Sequence, residues 1–187
     1  VLACQRGGSL QFLDTKGGLD WTLEASGLDQ IRVWRSGKTT DFTTNVCYWT
    51  GPVRTGLRQL PILLGANSFS FRGPVSGGGL QIVGDPRQKG HLGLFSPSNS
   101  FVRGVGAQDA CLHLACDGAL PAEGGALALT NACVELMDDA RDYHLPVLEA
   151  VASGPRAGLP EGIAQVTGGH GTGKRVVKSG LGRLCWR

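Results

Sequence analysis

Two histidines and a cysteine frame the chemistry this sequence could perform. His91 heads the alternating apolar run of "KGHLGLFSPSNSFVRG" (89–104), His113 sits within "CLHLAC" (111–116), and Cys133 lies in "NACVELMDDARDYHL" (131–145). Thiol-based acyl chemistry needs a cysteine held as thiolate, a histidine to share its proton, and a group that orients the imidazole. A helix N-terminus suits the cysteine, because unpaired N–H groups and the macrodipole there lower its pKa. A strand packed against that helix suits the histidine. Cys133 is thus the candidate nucleophile, His91 the candidate base and His113 the candidate orienting group.

These residues need elements to position them. Runs such as "SLQFLD", "QIRVWR", "LQIVG", "HLGLF", "CLHLAC" and "ALALT" have the β-branched or aromatic content and rough alternation of strands, while 51–79 read as loop around one apolar segment, "LPILLG". Pro86, "SPSN" and "CDGALPAEGG" supply turns between them. The strongest helical periodicity covers 131–145, where Cys133, Leu136, Met137 and Ala140 form an apolar stripe. Thr130 or Asn131 can cap that helix, and Pro146 ends it or starts a second short one, "PVLEAVAS". No internal repeat is read. The expected fold class is α+β: an antiparallel β-sheet packed against one principal helix, with extra β segments at the N-terminus.

Composition sets the outer bounds. The 187 residues are 41% hydrophobic and 18% charged, which is enough for a real core, and the 30 glycines imply many turns and close backbone approaches. No apolar run approaches the roughly 20 residues of a membrane span. The N-terminus shows no signal-peptide pattern, and the start at Val1 in place of Met suggests a processed product or a chosen boundary. Six cysteines spread irregularly over this length read mostly as thiols in a reducing compartment. Charge is uneven: the segment 155–187 carries six Lys/Arg against Glu161 alone. Lys174, Arg175, Lys178 and Arg183 are therefore candidates for contact with RNA or an anionic membrane surface, with Trp186 available to stack on a base. A solvated tail is the plain alternative.

Other motifs carry little. "GGHGTGKR" (168–175) has the glycine and lysine spacing of a phosphate-binding loop, but Arg175 stands where a Mg²⁺-binding hydroxyl is needed, and too few residues follow for the required helix. Cys111, His113 and Cys116 do not have a standard zinc spacing, so no metal or other cofactor is expected. Asp138 and Asp139 would diverge on a helix and form no carboxylate pair.

"HLGLFSPSNSFVR" resembles the H-box of the lecithin:retinol acyltransferase and phospholipase A/acyltransferase families, with His91 on its first histidine and "SPSN" on its turn. "NACVELMDDARDY" looks like the Asn-Cys motif and helix that follow, with Cys133 on the nucleophile and Arg141 on an arginine eight residues later. The resemblance spans about 79–145. It implies a permuted papain-like H-box/NC core at 79–154, between a β-rich extension (1–78) and a basic Gly-rich tail (155–187). Shorter members of this class include the 2A proteins of kobuviruses and parechoviruses. The resemblance therefore implies a viral non-structural protein supporting RNA replication and binding host proteins, in host cytoplasm at replication membranes. Its enzymatic form is a Cys–His acyltransferase or phospholipase-like hydrolase, with backbone N–H groups at the helix start stabilising the oxyanion. Two departures count against retained catalysis. Arg103 stands where the family has its second histidine, and Ala132 separates Asn131 from Cys133.

Two alternatives stay open. One is a binding module of the same fold that has lost catalysis. The other is an all-β interaction domain, such as a capsid-surface domain, with an accidental H-box match. The second of these predicts disulfide-bonded cysteines and no helix against the His91 strand.

Overall fold

The computed structural model describes residues 1–3, 7–13, 17–34, 47–116, 118–121, 127–137, 148–151, 163–167 and 183–186. The strands come in triplets, one for each side of a three-sided coil. The first coil is β1 (Leu2–Ala3), β2 (Gly8–Leu13) and β3 (Gly17–Leu19). The second is β4 (Leu23–Glu24), β5 (Leu28–Trp34) and β6 (Cys47–Trp49). The third is β7 (Val53–Arg54), β8 (Leu60–Gly65) and β9 (Ser68–Phe71). The fourth is β10 (Val75–Gly77), β11 (Leu80–Gly84) and β12 (Gly90–Leu94). The fifth is β13 (Ser100–Phe101), β14 (Val105–Gln108) and β15 (Ala110–Leu114). Then follow β16 (Leu127–Thr130) with β17 (Cys133–Leu136), β18 (Leu148–Val151) with β19 (Ile163–Thr167), and β20 (Arg183–Trp186).

Each strand bonds the strand one coil away, so the coils stack into three parallel sheets: A with five strands, B with seven and C with eight. This is a parallel β-solenoid. Pairing is parallel throughout because a chain that turns onto the next side after every strand returns to each sheet only after a whole coil, running the same way. The core is the inside of this stack. Ile31, Ile62 and Ile82 lie above one another on sheet B, and Phe69, Leu92 and Leu112 on sheet C. All six are fully buried. Phe12 packs at a tilt against Phe69 and meets Trp49 edge-on, filling the centre of the early coils.

The corners explain residues that periodicity cannot. Between sheets B and C the chain turns through a single left-handed residue, Asp109 (φ 52°) in one coil and Asn131 (φ 48°) in the next. Asn and Asp tolerate this conformation better than other side-chain-bearing residues. Asn131 Nδ2 donates to Asp109 Oδ1 at 2.6 Å, tying the two turns together. At the opposite end of sheet C, buried Asn99 accepts from Val75 N and donates to Ala119 O, both at 2.8 Å. It thereby joins the corners of three successive coils. Gly79 (φ 118°) abuts the Gly104 carbonyl of the next coil, where no Cβ would fit.

The α+β expectation is overturned. Among the described residues there is no helix, and the paired strands are parallel, not antiparallel. The segment expected as the principal helix forms β17 over Cys133–Leu136, and "PVLEAVAS" contains β18. The rest of 131–145, from Asp138 on, lies outside the described residues. The alternation C-V-E-L serves a strand as well as a helix, and stacking on neighbouring coils decides between them. Asn131 is a corner residue, not a helix cap. A repeat does exist, in register and not in identity.

Candidate functional site

Sheet C turns alternate residues inward, and the others form its outer face. In register across β12, β15 and β17, His91 stands beside Cys111 and Cys111 beside Cys133. One step further along the strands, Gly93 stands beside His113 and His113 beside Glu135. Five residues capable of proton, redox or ligand chemistry thus share one face over three coils.

Cys111 and Cys133 form a disulfide with Cα atoms 4.5 Å apart, joining neighbouring coils at a sequence separation of 22. The mostly-thiol expectation is corrected for this pair. The helix start meant to activate Cys133 is absent, since the residue lies on a strand. Cys111 also intervenes between it and His91. Two strand spacings of roughly 4.8 Å separate those backbones, about 10 Å in all.

The histidines do meet. His91 Nδ1 lies 2.9 Å from His113 Nε2, with ring centroids 5.1 Å apart. His113 is almost wholly buried, and Glu135 Oε2, on a half-exposed side chain, lies 3.1 Å from its Nδ1. Burial, reinforced by His91, pushes the His113 pKa down to about 3. Burial also lowers that of His91, with Lys89 adding to the effect. Both imidazoles are therefore neutral at pH 7. One ring N–H donates to the other ring's lone pair, and the tautomers decide which ring is the donor. Lys89 is itself partly desolvated, opposed by the nearby Asp109 carboxylate.

The arrangement offers a carboxylate, two neutral imidazoles and a disulfide on one flat face. It does not offer a thiolate beside a base. Arg103 sits at the corner between sheets A and B, its backbone N–H donating to Gly78 O. Lys174, Arg175 and Lys178 lie outside the described residues, while Arg183 opens β20 beside Ile163. Sequence reasoning selected His91, His113 and Cys133 but missed Cys111 as the partner of Cys133 and Glu135 as the neighbour of His113. The signal was present: "QDACLHL" (108–114) and "TNACVEL" (130–136) share corner residue, alanine, cysteine and alternation.

Searches against protein-family models, curated proteins and solved structures return no match.

Proposed function

We propose that this chain is a non-catalytic interaction module of β-solenoid form, and not a thiol acyltransferase. The observation that carries the reading is the place of Cys133: mid-strand, bonded to Cys111, and separated from His91 by that same cysteine. An acyl-transfer nucleophile needs a thiolate with a base in reach, and the fold supplies neither. The sequence contributes the ligand class. Lys174, Arg175, Lys178 and Arg183 favour a polyanion, with single-stranded RNA as the first probe. A role in viral RNA replication, as a 2A-type protein in host cytoplasm, is a proposal that rests on the sequence resemblance alone.

The test pairs two assays. RNA binding across a salt series should weaken with rising salt, and neutralising the four basic residues should reduce the log–log slope by about 3. Lipid and thioester substrates should leave no acyl group on Cys133, before or after reduction. An acyl adduct on Cys133 that disappears in His91→Ala would overturn the reading.

A further inference from the structure

The first coil leaves the core open at one end. β1, β2 and β3 are terminal strands of sheets A, B and C, so among the described residues all three sheets end together on that coil. The apolar columns end there too. Leu2 lies in register with Leu23, and Leu10 with Ile31. Leu23 and Ile31 are fully buried, whereas Leu2 and Leu10 are partly exposed, since no further coil of the described residues covers them. Stacked repeats ordinarily close such an end with a polar cap. Edge strands ordinarily carry a charge or a proline that blocks further pairing. β2, "GSLQFL", has neither, and a shift of register between Gly8 and Ser9 leaves 9–13 evenly paired with β5. Two tryptophans are exposed beside this edge: Trp34 (50%), in register with Leu13, and Trp21 (55%), just ahead of β4. Tryptophan is among the residues enriched where proteins meet proteins.

The form of the edge selects its partner. A single peptide strand would cover one sheet and leave two open. A copy stacked head to tail would have to offer three sheets ending together, but at the other end they stop on different coils, at β13, β18 and β20. A second copy related by a two-fold axis through Leu10, normal to sheet B, meets all three edges at once. It sets β2 antiparallel to its counterpart, and β1 of each copy against β3 of the other. Leu10 then meets Leu10 on the core side, and exposed Ser9 stands opposite exposed Gln11 on the outer face, so like polarity meets like. The charge pattern of the sequence is complementary to itself about the same point, with Arg6 and Asp14 each four residues from Leu10. We propose that this chain forms a two-fold symmetric dimer through its first coil, with β2 paired antiparallel to β2 of a second copy about Leu10. Each copy's open edge is used up by the other's, so association closes at two. The dimer rests on the fold alone and does not depend on the polyanion reading.

Sedimentation velocity on the full chain over a dilution series tests this. The mass should pass from one 19.6 kDa chain to two as concentration rises, and no further. Ser9→Lys with Gln11→Lys sets like charges opposite each other on both sides of the axis and should weaken association about 30-fold. Ser9→Glu with Gln11→Lys sets opposite charges there and should restore it. Both side chains are exposed, so each double variant should keep the melting temperature of dilute wild type. A chain that stays monomeric at every concentration would overturn the proposal, and so would open-ended growth beyond two. A dimer indifferent to the paired lysines, or one that Ser9→Glu with Gln11→Lys fails to restore, would overturn it as well.

Discussion

Burial of a neutral histidine pair makes the chemistry of single residues visible in stability. His113 takes up a proton near pH 3 when folded, whereas an exposed histidine does so near 6.5. Between those values the unfolded chain holds the extra proton, so stability rises with pH and levels off above about 6.5. Chemical denaturation from pH 4 to 8 should show a slope on the order of 1 kcal/mol per pH unit at the acid end. His113→Gln should flatten that slope, and a profile with the same slope in the variant would assign it to other groups. The left-handed corner residues make a second prediction. Asn131→Val forces a β-branched residue into φ 48° and removes the bond to Asp109, which should cost roughly 2–3 kcal/mol in urea denaturation. Asn131→Gly keeps the backbone conformation and should cost less.

At the level of elements, many strand positions were legible and strand partners were not, and the loop expected over 51–79 is instead the four strands β7 to β10. "LQIVG", "HLGLF", "CLHLAC" and "ALALT" all contain strands, because alternation and β-branched content report which residues face a core. They do not report whether the next strand runs back or continues around a coil. Cys133–Leu136 was misread as helix because its apolar spacing fits both periods over so short a span. Asn131 strengthened the error, since Asn is both a good helix cap and a good left-handed corner. His91, His113 and Cys133 were found by residue type. Their true neighbours, Cys111 and Glu135, required the register of coils that share little identity. The disulfide belongs to this scale. It closes a loop of about 22 residues, so Cys111→Ser with Cys133→Ser should cost about 3 kcal/mol by the chain-entropy account. Urea titrations of variant and oxidised wild type check this, and equal midpoints would remove the bond from the stability of the fold.

Across the described residues, stacking makes each coil the template for its neighbours, so stability is shared between adjacent coils along one continuous core. Asn99 shows the dependence most directly, since one buried amide satisfies the backbone of coils on either side. Asn99→Ala leaves Val75 N and Ala119 O without that partner and should cost roughly 2–4 kcal/mol, seen as a lower melting temperature. The same geometry places His91, Cys111 and Cys133 in a row, which is the basis for proposing an interaction module over an acyltransferase. The most direct test is a thiol-alkylation and non-reducing peptide map of the native protein. The account predicts a linked peptide pair carrying Cys111 and Cys133, with Cys133 unlabelled until reductant is added. A Cys133 thiol that labels rapidly at neutral pH without reductant, and slows in His91→Ala, would contradict it.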